Sequence, residues 1–201
     1  MRIGIKVTFF LLSVMAALLG DQVAANAQTA TRQMQPRADL ALDYTYLRSN
    51  APPGGCGCFN LNGGSATFGW QIGQSHFALV GDVSAAEAGK ISSNGYGLTL
   101  IALAAGARYQ LRLGHSPLHP FGQLMVGVAH SSGSLVDGQN PSVPNAGAAF
   151  AANAGGGIDL HFNRHLSFRL VEADYLATTF NNGDNNHQNN VRLSTGVVFR
   201  F

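Results

Sequence analysis

The sequence predicts an all-β fold, an eight-stranded antiparallel up-and-down transmembrane β-barrel, and three observations predict it. In the last segment Val191, Leu193, Thr195, Val197, Phe199 and Phe201 alternate with Arg192, Ser194, Gly196, Val198 and Arg200. One face is dry and the other wet or small, at a period of two. Past the first 20 residues, no segment is long and apolar enough for a membrane helix. A chain that spans a bilayer without helices must close its strands, because every backbone group needs a partner there. Finally, eight alternating segments are joined by connections that are short and long in strict turn, the asymmetry of up-and-down membrane barrels.

The elements follow in order. Arg2 and Lys6 precede an apolar stretch from Val7 to Gly20, and Ala25-Asn26-Ala27 is a small-x-small site. Residues 1–27 therefore read as a cleaved export signal, its apolar region too short to span. No Cys follows the cleavage site, so a lipoprotein signal is not expected. Residues 28–37 are expected to form a short periplasmic tail, and residues 38–201 the barrel.

The first strand is read over Ala38–Ser49, with Leu40, Leu42, Tyr44 and Tyr46 opposite Asp39, Ala41, Asp43 and Thr45. The second is Gly64–Gly73, where Ala66, Phe68, Trp70 and Ile72 share a face. The third is His76–Ala86, with Phe77, Leu79 and Val83 against Asp82 and Ser84. The fourth is Tyr96–Arg112, with Ile101, Leu103, Tyr109 and Leu111 outward and Arg108, Gln110 and Arg112 inward. The fifth, Pro120–Ser131, sets Leu124, Val126 and Val128 opposite Gln123 and Met125. The sixth, Ala148–Phe162, sets Phe150, Ile158 and Leu160 opposite Asn153, Asp159 and His161. The seventh is Leu166–Thr178, and the eighth is the terminal segment. The first strand is expected to pair with the last around Leu42 and Val197. Both termini lie on the short-connection side, which puts them in the periplasm and the long loops outside.

The seventh strand breaks its alternation. Leu166, Phe168 and Leu170 share a face, and continuing that phase would put Glu172 and Asp174 in lipid. A carboxylate there costs about 2 to 4 kcal/mol. A one-residue bulge at Leu170-Val171 instead turns Val171, Ala173 and Tyr175 outward, and Glu172 and Asp174 into the lumen with Arg169.

Composition agrees. Without the first 27 residues, which hold Arg2, Lys6 and Asp21, Lys+Arg number 10 and Asp+Glu 9. This is no footprint for nucleic acid. Charged residues are 11% and glycines number 25, as suits a barrel with one lipid face.

The inward charges Asp43, Asp82, Arg108, Arg169, Glu172, Asp174 and Arg192 form the main constellation. An eight-stranded interior is just filled by side chains, so these groups are expected to pair as a lumen-plugging network. In particular, Arg108, Arg169 and Arg192 are expected to meet Asp43, Glu172 and Asp174. A gated ion path is the functional alternative. Cys56 and Cys58 sit in Pro52-Pro53-Gly54-Gly55-Cys56-Gly57-Cys58, within the first long loop. In an oxidising compartment they are expected to staple the loop as a disulfide. The ring is small, and free thiols or an intermolecular link are the alternatives. No metal site and no cofactor are expected: His115 and His119 are four apart, but Pro117 and Pro120 exclude a helix there. Gly155-Gly156-Gly157 lacks the Lys-Ser/Thr of a phosphate loop and is expected to make room for bulky lumen neighbours.

Two resemblances add to this reading. Ser194, Gly196, Phe199 and Phe201 fill the slots of the terminal strand of bacterial outer-membrane barrels. The resemblance implies that the barrel-assembly machinery reads this segment through Phe199 and Phe201, with Ser194 and Gly196 fitting its backbone pattern. From Ala38 onward the chain resembles the small outer-membrane barrels: opacity-type surface proteins, the OmpA transmembrane domain and the OmpX/Ail group. This implies a surface protein active in adhesion or envelope integrity, without catalysis. Its partners would be outer-membrane lipid and lipopolysaccharide, the assembly machinery, and an extracellular ligand at the loops. No periplasmic domain is expected after the barrel. His130-Ser131-Ser132 is similar to the His-x-Ser pair of the outer-membrane lipid A deacylases, where an acidic partner orients the His. However, Gly133-Ser134-Leu135 replaces that family's Asn-Ala-Gly, and no Glu follows before Glu172. His130 and Ser132 are therefore expected to be a polar pair at the rim. A lipid A hydrolase and a narrow pore remain the competing classes.

Overall fold

The computed structural model describes residues 37–49, 59–89, 97–114, 116–133, 146–180 and 186–201. Eight strands follow one another: β1 (Ala38–Ser49), β2 (Phe59–Gln71), β3 (Phe77–Ala88), β4 (Leu98–Gln110), β5 (Leu118–Gly133), β6 (Ala146–His161), β7 (Leu166–Thr178) and β8 (Gln188–Arg200). Each pairs antiparallel with the next, and β1 pairs with β8 to close the barrel. The closing register sets Leu42 opposite Val197. No described residue is helical.

The alternation sorts the side chains into two environments. Leu42, Phe68, Leu79, Leu103, Leu124, Val126 and Leu193 are exposed on the outer wall. Their intervening neighbours Asp43, Thr67, Asp82, Gln123 and Arg192 are buried inside. On β5 the outward apolar run reaches from Leu118 to Val128. Ten steps of ~3.3 Å, tilted by about 40°, give a belt about 25 Å tall, the height of a bilayer's hydrocarbon core as barrels span it. Aromatic rings mark its edges. Trp70, Phe77, Tyr109, Phe162, Phe168 and Phe199 are exposed toward the short-turn end, and Tyr44, Phe150 and Tyr175 toward the other. Such girdles sit where one end of a ring meets hydrocarbon and the other meets water.

Toward the long connections the pattern inverts. Leu47, Leu61, Leu98, Leu100, Leu176 and Phe180 pack together inside the barrel. Arg48, Asn60, Asn62, Glu87 and Asn189 are exposed at the same end. Apolar-in and polar-out is the pattern of a barrel in water, so the strands continue past the apolar belt. This explains the main boundary differences. β2 starts at Phe59 rather than Gly64 because its protruding end is apolar inward and polar outward, the reverse of the lipid-facing run, and β8 starts at Gln188 rather than Val191 because Gln188, Asn189 and Asn190 are all polar and carry no alternation.

The bulge in β7 is present. Ile158 pairs with Val171 and Asp159 with Arg169, so Leu170 is the extra residue. Leu170 and Val171 are both exposed outside, while Arg169, Glu172 and Asp174 are buried inside. The Thr195 hydroxyl donates to the carbonyls of Arg169 and Leu170 at 2.9 and 3.2 Å. This supplies a partner where the ladder is interrupted.

Candidate functional site

Inside the lumen, toward the short turns, the charged side chains form one connected body. Arg169 on β7 reaches Asp43 of β1 at 3.0 Å, Asp159 of β6 at 3.1 Å and Glu172 at 2.7 Å. Arg192 on β8 reaches Asp82 of β3 at 2.8 Å, Asp174 at 2.7 Å and Glu172 at 3.2 Å. Glu172 therefore bridges the two guanidinium groups. Gln123 on β5 donates to Glu172 at 3.1 Å and to Asp174 at 3.4 Å. Thr67 donates to Asp82 at 2.9 Å. Above them Thr45 is hydrogen-bonded to Ser65 and to Ser194, each at 3.1 Å. Arg169 and Glu172 are each 1% exposed. Charges so far from water persist only when paired and hydrogen-bonded.

Six of the seven expected lumen charges meet directly. Arg108 is inward and buried, but it does not touch Asp43, Glu172 or Asp174. Its Nη1 donates to Asp39 at 3.1 Å and its Nε to Gln123 at 3.2 Å. It therefore joins the body through Gln123. The reason is register: Arg108 lies opposite Gln123, closer to the short turns than Glu172. The sequence reading left Asp39, Asp159, Gln123 and Phe121 out of the network. All four have the inward phase, which was the available signal for them. The Phe121 ring lies beneath two guanidinium groups, with Arg108 at 4.8 Å and Arg169 at 4.7 Å from its centroid. A ring face favours such a cation when both are shielded from water.

Inward glycines let these groups meet. Gly196 lies opposite Asp43 on one side and Arg169 on the other, so that ion pair passes over β8. A Cβ at Gly196 would lie 2.5 Å from Asp43 Oδ1. Gly157 lies between Phe121 and Glu172, and a Cβ there would stand 2.8 Å from Phe121 Cζ. Any side chain at either site would occupy the space the network uses.

The other expected site residues fall as follows. Ser194 is buried and Gly196 half-buried inside, while Phe199 and Phe201 are exposed outside. The Phe201 backbone pairs with Ala38 and accepts from Arg37 at 2.8 Å. His130 and Ser132 are exposed on the outer wall near the end of the apolar belt. They lie opposite Ile101 and Thr99, and neither makes a side-chain hydrogen bond among the described residues. Cys56, Cys58, His115 and residues 1–27 lie outside the described residues. Among the described residues no cluster of metal-ligating groups is present.

A closed eight-stranded wall with a lipid-height apolar belt, two aromatic girdles and a side-chain-filled lumen defines a small transmembrane β-barrel. The chain belongs to the outer membrane protein beta-barrel domain family, whose model matches residues 13–201. Among solved structures it is similar to the Neisserial surface protein A, with 16% identity and a TM-score of 0.61, covering 82% of this chain and 97% of that one. It is also similar to Ail, the attachment invasion locus protein of Yersinia pestis, with 14% identity and a TM-score of 0.53, covering 82% and 99%. At these identities the likeness shows the fold alone. Comparison with curated protein sequences finds no match.

Proposed function

We propose that this outer-membrane barrel is a non-catalytic surface-interaction protein, which holds its four long connections at the cell surface and keeps its termini in the periplasm. The observation that carries this reading is the filled lumen. The ion-paired body blocks the lower part, and the Leu47, Leu61, Leu98, Leu100, Leu176 and Phe180 cluster blocks the upper end. An ion crossing would have to break buried pairs and then enter an apolar layer, which argues for an anchor and against a pore. The exposed ends of the strands carry polar groups such as Asn60 beyond the apolar belt, which suits contact with lipopolysaccharide. The two similar structures are those of a surface protein and an attachment protein, which agrees with such a role. His130 and Ser132 lack an acidic partner among the described residues, which favours a rim pair over a hydrolase. Phe199 and Phe201 are the residues for the assembly machinery to read, and residues 1–27 are the export signal.

The test uses cells that express the protein, compared with cells carrying a variant whose residues 134–145 are replaced by a short Gly-Ser turn. Surface attachment should fall with the replacement while the amount of heat-modifiable folded barrel stays the same. The lipid A mass profile should be identical with and without the protein. Loss of an acyl chain from lipid A that is reversed by His130→Ala would overturn the reading in favour of a hydrolase.

A further inference from the structure

We propose that the short-turn mouth of the barrel is a binding site for a small phosphoryl anion of diphosphate type. A cavity of about 440 Å³ opens there, bounded by the ends of the strands and the short connections. That volume lies in the range of small-molecule sites. Five arginines line it, Arg37, Arg108, Arg112, Arg164 and Arg200, and Asp39 is the one acidic lining residue among those described. Like charges gather in this way at a cost, and a cavity with low-dielectric walls focuses their field on whatever anion enters.

Behind the cavity wall lies a donor without a hydrogen-bond partner. Arg108 is 4% exposed. Its Nε and Nη1 are bound to Gln123 and Asp39, but its buried Nη2 has no hydrogen-bond partner. A buried unsatisfied guanidinium N–H is costly to keep. The wall repeats the feature. His119 and His161 stack at 3.5 Å between ring centroids, and His161 Nε2 is likewise buried without a partner. Among the described residues Arg200 has one ion-pair partner, Asp159 at 4.0 Å, loose enough to let it turn toward a ligand.

The ligand class follows from the donors. Guanidinium forks match phosphoryl oxygens in pairs, and several converging forks favour a multiply charged anion over a single carboxylate. The cavity has room for two linked phosphoryl groups. These could belong to a free diphosphate or to the headgroup of an anionic lipid, and the experiment separates them.

Sodium pyrophosphate is titrated calorimetrically into the full-length protein purified from outer membranes in non-ionic detergent, then into the protein in nanodiscs of zwitterionic or anionic phospholipid. One-to-one saturable binding is expected in detergent and in zwitterionic discs. Loss of that binding in anionic discs alone assigns the site to lipid headgroups, and its persistence assigns it to the free anion. Arg112→Gln and Arg164→Gln, both on exposed positions of the mouth, should each weaken binding about tenfold, the worth of one charge-assisted hydrogen bond. Asp39→Asn should tighten binding, an effect that misfolding cannot produce. The proposal is overturned if pyrophosphate gives no saturable heat at millimolar concentration in detergent. It is also overturned if the two arginine variants bind as the parent does, or if an acidic peptide titrates and pyrophosphate does not.

Discussion

Removing Arg169 should cost far more than neutralising Glu172, although the two touch each other at 2.7 Å. The difference lies in what each removal leaves behind. Asp43 has Arg169 as its side-chain partner, and its Oδ1 is already unsatisfied. Asp159 would keep only Arg200, at 4.0 Å. Arg169→Met, which roughly preserves volume, therefore strands two buried carboxylates. Breaking one side of a buried pair costs about 3 to 5 kcal/mol. Glu172→Gln keeps the shape and one acceptor oxygen. Arg169 retains Asp43 and Asp159, and Arg192 retains Asp82 and Asp174. Among the buried lumen groups carboxylates also outnumber guanidiniums: Asp43, Asp82, Asp159, Glu172 and Asp174 against Arg108, Arg169 and Arg192. Losing one negative charge relieves that excess, and the remaining loss is about 1 to 2 kcal/mol of hydrogen bonding. The two variants should thus differ by about 1 to 4 kcal/mol. With a urea slope of about 2 kcal/mol per molar, that separates their midpoints by roughly 0.5 to 2 M. Urea unfolding from lipid vesicles can be followed at Trp70, the chain's one tryptophan, which is 46% exposed on the outer wall and shifts its emission when it leaves the bilayer. If Glu172→Gln unfolds at or below the midpoint of Arg169→Met, Glu172 is not a shared bridge between two otherwise paired arginines, and the reasoning fails.

Two further outcomes are expected. Thr195→Val removes the hydroxyl that caps the carbonyls of Arg169 and Leu170. In lipid those groups have no water to turn to, so stability should fall by about 1 to 3 kcal/mol, whereas Thr195→Ser should retain most of it; equal urea midpoints for Val and Ser would refute the capping role. Phe201→Ala leaves the backbone pairing with Arg37 and Ala38 available but removes the outward ring, so the folded, heat-modifiable fraction in outer membranes should drop while export continues. Wild-type amounts of folded protein would count against the assembly role of that ring.

The wall of this barrel was legible because lipid enforces a rule on every second residue. Leu42, Leu103, Val126 and Val197 could be assigned to the outer face from the alternation alone. The β7 bulge was legible for the same reason, since without it Glu172 and Asp174 would face hydrocarbon. Partner choice inside was not. Arg108 and Arg169 have the same inward phase, yet one ends on Asp39 and the other on Asp43. Which inward residues share a level depends on the stagger between strands all round the barrel, and no local pattern in the chain encodes it. The apolar cluster under the long connections was missed for a different reason. Phe59 to Asn62 alternate in the opposite sense to the membrane belt, and Gln188 to Asn190 are all polar, so both segments have the sequence signature of a loop.

The inward glycines decide which lumen groups can meet. A narrow barrel brings neighbouring strands within about 5 Å, so a side chain on each of three adjacent inward positions would fill the space between the outer two. Asp43 and Arg169 meet because Gly196 stands between them. Gln123 reaches Asp174 across Gly155 in the same way. Gly196 therefore has a local cause in the lumen that is independent of any signal carried by the terminal strand. The outward Phe199 and Phe201 have no such internal cause, since they touch the lumen at no point. Of the four residues in the terminal pattern, the two aromatics are thus the ones whose identity lipid and recognition must explain. Ser194 and Gly196 follow from the hydrogen bond to Thr45 and from the ion pair that passes over β8.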